Sequence, residues 1–263
     1  MCRWIAYQGV PAYLDGFVTA PAHSLVAQAL HADEAKSVTN GDGFGLGWYG
    51  EREVPGLYRE VRPAWSDENL KNLCAQVRSH LFFAHVRAST GGAVARSNCH
   101  PFVIGSHMFM HNGQVGEFCR IRRQIEALID DVHYADRVGT TDSEALFLAL
   151  LSSEHGLLDP VSAVATLLRR VLEMMRKADI VEALRFTAAL SDGDTLYGFR
   201  WASDSHAPSL YWREGKDHVI LASEPLDAQR NVWQEVPKGC ALIVRKGKKP
   251  VLRCMNEAMQ TAA

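Results

Sequence analysis

The sequence lacks the features that mark membrane, secreted and nucleic-acid-binding proteins. No apolar run approaches the roughly 18 residues that a membrane-spanning helix needs. The N-terminus has no basic segment followed by an apolar stretch, so we expect no leader peptide. A formal net charge of −2 provides no basic excess for nucleic acid or for an anionic membrane. We therefore expect a cytoplasmic protein with neither kind of partner.

Clustered metal ligands are also missing. The six cysteines are scattered and form no CxxC pair, and there is no HExxH motif. His107 and His111 lie four residues apart, but "SHMFMH" alternates like a strand rather than a helix. We therefore predict no metal, no cofactor and reduced cysteines.

Linkers and repeats are absent as well. No long Pro/Gly/Ser stretch divides the chain, and 47% of its residues are hydrophobic, enough for a sizeable core. We expect one domain over residues 1–263.

The order of predicted elements is strands, then helices, then strands. "WIAYQG" and "LFFAHVR" indicate strands, and "HMFMH" indicates another that stops at "NGQ". Helical spacing marks "PAHSLVAQALHADEA", with Pro21 at its start, and "SDENLKNLCAQVRS", with Ser66 as N-cap. Helical segments fill the middle, and short strands around an Asp-Gly turn follow. This order predicts an α+β domain of two sheets with helices packed outside.

Cysteine at position 2 is unusual, because chain termini usually fray. If Met1 is removed, the thiol and the free α-amine of Cys2 share one Cα. The amine, with an ordinary pKa of about 7.7–8.0, can take the thiol proton, so one residue supplies nucleophile and base. The alternative is a small buried side chain without chemistry. The next residue, Arg3, could lower the thiol pKa or point to solvent.

Three polar stretches follow predicted strands or begin a helix. In "HVRASTGG", the Arg87 guanidinium is suited to binding the carboxylate of a ligand; the alternative is a surface salt bridge. In "MHNGQ", the Asn112 amide and the Gly113 N–H could form an oxyanion hole; the alternative is that Asn-Gly forms a plain tight turn. In "GTTDSE", the Asp142 carboxylate could bind the ammonium group of a ligand; the alternative is that Asp142 is the N-cap of a helix. Together with Cys2 they would fit a ligand with an amino-acid head and a side-chain amide, which means glutamine or a γ-glutamyl compound.

The ordered set "MC", "DGFGLGWY", "AHVRAST", "NCHPF", "HNG" and "TDSE" resembles the class II glutamine amidotransferases, which have the N-terminal-nucleophile hydrolase fold. The resemblance implies a four-layer αββα sandwich of two mainly antiparallel sheets. It also implies that Cys2 is the nucleophile, that Asn112 and Gly113 form the oxyanion hole, and that Arg87, Thr90 and Asp142 bind the substrate.

Further short segments, including "PAWSDENL" and "ASEPL", are similar to those of a stand-alone subgroup of this family. That subgroup includes the ergothioneine-pathway γ-glutamyl hydrolase and the fungal glutathione-degradation amidotransferase subunit. Synthase-linked members carry His where this chain has Gly91, which puts a contact from that position in doubt. The resemblance implies hydrolysis of a γ-glutamyl amide. The alternatives are a glutaminase subunit that serves a separate synthase or peptidase chain, a different cysteine acylase, and a non-catalytic module of the same fold.

Overall fold

The computed structural model describes residues 2–33, 39–89, 93–153 and 158–255. Two antiparallel sheets dominate these ranges. The strands are β1 (Arg3–Tyr13), β2 (Phe44–Trp48), β3 (Gly56–Glu60), β4 (Arg78–Val86), β5 (Phe102–Ile104), β6 (His107–Gln114), β7 (Arg185–Ser191), β8 (Thr195–Ala202), β9 (Tyr211–Glu214), β10 (His218–Ala222), β11 (Gln234–Glu235), β12 (Cys240–Arg245) and β13 (Val251–Cys254). The strand order is β11-β9-β10-β1-β4-β2-β3 in the first sheet and β13-β12-β8-β7-β6-β5 in the second.

The α-helices cover the outer faces of the two sheets. They are α1 (Asp15–Val18), α2 (Leu25–Leu30), α3 (Glu68–Gln76), α4 (Phe118–Glu126), α5 (Asp131–Tyr134), α6 (Asp142–Leu151) and α7 (Pro160–Lys177). Apolar residues of α1, α2 and α3 share a core with the first sheet, and those of α4, α6 and α7 share one with the second. No helix among the described residues is long and apolar enough to cross a bilayer.

A third apolar core lies between the sheets, and strand alternation explains how each strand serves two layers. In β4, Phe82 and Ala84 face the helices, whereas Leu81 and Phe83 pack in the inter-sheet core with Trp4. The layers therefore follow the order α, β, β, α. This confirms the predicted α+β fold of two antiparallel sheets.

The alternating glycines of β2 let the second sheet's loop approach closely. A Cβ on Gly45 would overlap the carbonyl oxygen of His100, and a Cβ on Gly47 would lie 2.6 Å from the Met108 sulfur and 2.8 Å from Pro101 Cγ. Glycine is needed at position 45 because backbone occupies the space of a side chain, whereas a Cβ at position 47 would require Met108 and Pro101 to shift.

Local predictions were wrong at three places. Asn112 and Gly113 do not end β6 in a tight turn, because they continue the strand and pair with Thr187 and Phe186 of β7. Long-range pairing here overrides the Asn-Gly turn preference.

The other two errors concern helix starts. Helix α3 is capped by Asp67, whose carboxylate accepts from Leu70 N at 2.9 Å, rather than by Ser66. Helix α2 is capped by Ser24, well after Pro21. In both helices an acceptor side chain three residues before a free backbone N–H sets the start.

Candidate active site

Cys2 lies where β1 begins, beside the segment that leaves β4. Arg3 pairs with Val86 in the antiparallel ladder, which brings the preceding residue next to Ala88. The Cys2 Sγ lies 3.4 Å from Ala88 N, which donates to it, and 3.6 Å from Ala88 O. Burial raises the pKa of the Cys2 thiol, while the Ala88 N–H and the positive charges of Arg87 and Arg3 act to lower it.

The carbonyl of Cys2 accepts two hydrogen bonds from side chains of different sheets. Arg3 Nη1 donates at 3.1 Å, and Asn112 Nδ2 from β6 donates at 3.0 Å. Asn112 is buried. The second sheet therefore delivers an amide directly to the residue that carries the candidate nucleophile.

Strand β6 extends beyond its short partner β5 where it reaches this position. Its partner β5 pairs only with residues 107–109, so Asn112 and Gly113 run beyond β5. A Cβ on Gly113 would overlap the carbonyl oxygen of Arg185 and lie 2.5 Å from His111 Nε2. Glycine is therefore required here by packing.

Arg87 follows β4 directly and is buried. Its Nη2 donates to Ser89 Oγ at 3.2 Å, and its Nη1 contacts Asp42 O at 3.5 Å. The Asp42 carboxylate accepts from Ser89 N at 2.7 Å. Asp42 therefore shapes the loop around the guanidinium, and no carboxylate contact is seen on Arg87 among the described residues. The surface salt-bridge reading is not supported, because the side chain is not on the surface.

Asp142 is the first residue of α6, but the helix is capped by Thr141. One Asp142 oxygen accepts from Val115 N at 2.8 Å, and the other accepts from Ser143 N at 2.8 Å. Ser143 Oγ in turn lies 2.9 Å from His111 Nδ1. The carboxylate is thus tied to the end of β6, three residues after Asn112, and its orientation is fixed.

Two polar residues of the "NCHPF" stretch have structural partners. Asn98 donates to Ala93 O at 2.9 Å and accepts from Thr140 N at 2.8 Å, so it links two loops rather than offering its amide to a ligand. His100 packs against His85, with ring centroids 4.4 Å apart. Thr90 and Gly91 lie outside the described residues.

Two contributors were missed by sequence reasoning. The Ala88 backbone meets the Cys2 thiol, and Glu224 forms an ion pair with Arg3, with 2.8 Å between Glu224 Oε2 and Arg3 Nε. Arg3 therefore does not point to solvent. Glu224 belongs to "ASEPL", which marked a resemblance but gave no chemical signal of its own.

Among the described residues, one group combines side chains that could ligate a metal: His23, Asp33 and Glu224. Their ligand atoms lie within 4.8 Å of one another. Glu224 is already paired with the Arg3 guanidinium, and a cation would meet that positive charge. The group therefore gives no support to a metal site.

The family follows from comparison with known proteins. The sequence profile described as "Glutamine amidotransferases class-II" matches residues 18–207. The chain belongs to the class II glutamine amidotransferases and is an enzyme of that type. This confirms the resemblance. The matched region begins after Cys2, so the profile itself says nothing of that residue.

Three proteins illustrate the relationship. The chain is 32% identical to the probable glutamine amidotransferase DUG3 of Saccharomyces cerevisiae, covering 94% of this chain and 82% of that one. It is 28% identical to the gamma-glutamyl-hercynylcysteine sulfoxide hydrolase of Mycolicibacterium smegmatis, covering 90% and 92%. A solved glutamine aminotransferase class-II domain protein from Silicibacter pomeroyi is similar at 36% identity and a TM-score of 0.75, covering 96% and 99%.

Proposed function

We propose that this enzyme hydrolyses a γ-glutamyl amide through a thioester on Cys2, once Met1 has been removed. One observation carries the proposal. The second sheet's Asn112 amide donates to the Cys2 carbonyl at 3.0 Å, while the Cys2 thiol lies against Ala88, the residue after Arg87. A nucleophile, an amide donor and a buried guanidinium thus meet at one place.

The reaction begins when the free α-amine of Cys2 accepts the thiol proton. The thiolate attacks the γ-carbonyl carbon, and the electron pair of the C=O bond moves to oxygen. The Asn112 amide and the Gly113 N–H would stabilise this oxyanion, each contributing about 3–4 kcal/mol in comparable sites. The C–N bond then breaks, and the Cys2 ammonium protonates the leaving amine. Water attacks the thioester, releases glutamate and restores the thiol.

Arg87 and Asp142 would hold the amino-acid head of the substrate. The buried guanidinium is suited to the α-carboxylate because charge-assisted bonds strengthen away from water. The Asp142 carboxylate, with Val115 N and Ser143 N on its two oxygens, is suited to the α-ammonium group. Thr90 is proposed to assist Arg87.

The identity of the leaving group distinguishes a stand-alone γ-glutamyl hydrolase from a glutaminase subunit of a larger enzyme. The mycobacterial relative is named as a hydrolase of a γ-glutamyl compound, and this chain covers 92% of it. We favour a hydrolase of one domain, residues 1–263, that releases glutamate and an amine without a synthase. The alternative is a glutaminase subunit that delivers ammonia to a separate chain.

The test is glutamate release by Met1-processed protein from L-glutamine, glutathione and γ-glutamyl amines, with Cys2→Ala as control. Release from γ-glutamyl peptides rather than glutamine supports the hydrolase. Release from glutamine alone would instead support the glutaminase subunit. Undiminished release by Cys2→Ala would refute the mechanism.

A further inference from the structure

Two opposite charges are buried directly behind Cys2. The side chain of Arg3 is 1% exposed and that of Glu224 is 0% exposed, and the Arg3 Nε to Glu224 Oε2 distance is 2.8 Å. Removing two such ions from water carries a large desolvation cost, which their attraction offsets only in part. A buried pair of this kind is therefore weak evidence for stability, and its position calls for another explanation.

The pair is connected to the candidate nucleophile through the backbone. Arg3 Nη1 donates to the Cys2 carbonyl at 3.1 Å, so one guanidinium links that carbonyl to Glu224. Glu224 follows β10, which pairs with β1 through Ile5 and Ala222. The strand ends are fixed further, because Ser223 N donates to Trp4 O at 3.0 Å.

Glu224 is itself held from the opposite side. Its Oε1 lies 2.6 Å from His23 Nε2 and accepts from Asp33 N at 2.9 Å. A carboxylate with partners on both oxygens has one orientation. The ion pair places the Arg3 guanidinium between this carboxylate and the Cys2 carbonyl to which it donates.

We propose that Glu224 is a positioning residue for the nucleophile. Through Arg3 it fixes the Cys2 carbonyl between Arg3 and Asn112, and this sets the direction of the thiol toward the substrate carbonyl. The inference rests on the proposed function. It predicts that loss of the Glu224 charge impairs turnover while substrate binding at Arg87 and Asp142 is preserved.

The experiment compares steady-state kinetics of Met1-processed wild type, Glu224→Gln and Arg3→Lys on glutathione and L-glutamine. Both variants are expected to lower kcat by about tenfold or more, with KM within about twofold, because an interaction needed only for the chemical step is lost. Arg3→Lys tests the same link if Glu224→Gln does not fold, since one ammonium cannot reproduce the planar two-sided contact.

Asp227→Asn is the matched control. It removes a carboxylate near Glu224 in sequence and an ion pair with Arg213, at 2.5 Å, that does not reach Cys2. Its kcat is expected to stay within about twofold of wild type.

Alkylation of Cys2 by iodoacetamide, read by peptide mass against the exposed Cys119, provides a readout that needs no substrate. In Glu224→Gln this rate is expected to be kept or raised, because the unpaired Arg3 charge favours the thiolate. Unchanged kcat, a rise in KM with unchanged kcat, or collapse of Cys2 alkylation would each overturn the inference. A wild type that releases no glutamate would refute the proposed function instead.

Discussion

Replacement of Asn112 by alanine separates catalysis from stability. The Asn112 amide is buried and donates to the Cys2 carbonyl at 3.0 Å. If the same amide stabilises the oxyanion, its loss should lower kcat by about 10²–10³-fold, equivalent to about 3–4 kcal/mol of transition-state stabilisation. KM should change little, because the donor acts mainly on charge that develops during the reaction.

The cost to folding should be smaller. Loss of one neutral hydrogen bond destabilises a protein by about 1 kcal/mol when the remaining partner is still satisfied. The Cys2 carbonyl keeps its second donor, Arg3 Nη1 at 3.1 Å. We therefore expect Asn112→Ala to remain folded, with a modest fall in the free energy of unfolding.

The assay is steady-state glutamate release together with urea unfolding. The control is Gln114→Ala, which removes another amide two residues along the same strand, on the same face of β6. A kcat for Asn112→Ala within about threefold of wild type would refute the oxyanion role. A loss in which KM rises and kcat does not would show that Asn112 acts in ground-state binding.

Three further predictions concern binding, pH and packing. Arg87→Ala should raise KM by about 10–100-fold for substrates with a free α-carboxylate, and far less for the corresponding α-carboxamides; equal effects on both would remove its assigned role. Burial lowers the pKa of His85 to about 3 and that of His100 well below its ordinary value. The unfolded chain takes up protons below about pH 6.5 and the folded state does not, so stability should fall as the pH falls. Urea unfolding should show a loss of about 2 kcal/mol from His85 between pH 7 and 5, with a further loss in the same direction from His100; a flat profile would contradict this. Gly45→Ala should lower the free energy of unfolding by about 1–3 kcal/mol or more, because the new Cβ meets the backbone of His100. Gly16→Ala, which has open space around it, is the control and should cause no such loss. Equal melting temperatures for the two variants would contradict this prediction.

The architecture was predictable where the signal is local. The strand predicted from "LFFAHVR" is β4, and Phe82 and Ala84 lie on one of its faces because a strand's side chains alternate whatever its partners are. The Asp-Gly turn between β7 and β8 follows from residues adjacent in the chain. The helical period of residues 160–177 was equally clear.

What could not be predicted depends on distant pairing. Asn112 lies in a strand because Thr187 of β7 pairs with it, and no local pattern contains that partner. The Arg3–Glu224 ion pair joins the start of β1 to the segment after β10, far away in the chain. Cys2, Arg87, Asn112 and Asp142 were chosen by residue type and resemblance. The structure shows contacts that link them, and their catalytic and binding roles remain predictions.

The central claim is that Cys2 carries the acyl intermediate. The most direct measurement is acid quenching of Met1-processed enzyme during turnover of a γ-glutamyl substrate, followed by peptide mass analysis. The account predicts one glutamyl group on the N-terminal peptide, removable by hydroxylamine, and none on Cys2→Ala or on protein that keeps Met1. A glutamyl adduct on another residue, or full turnover by Cys2→Ala, would contradict it.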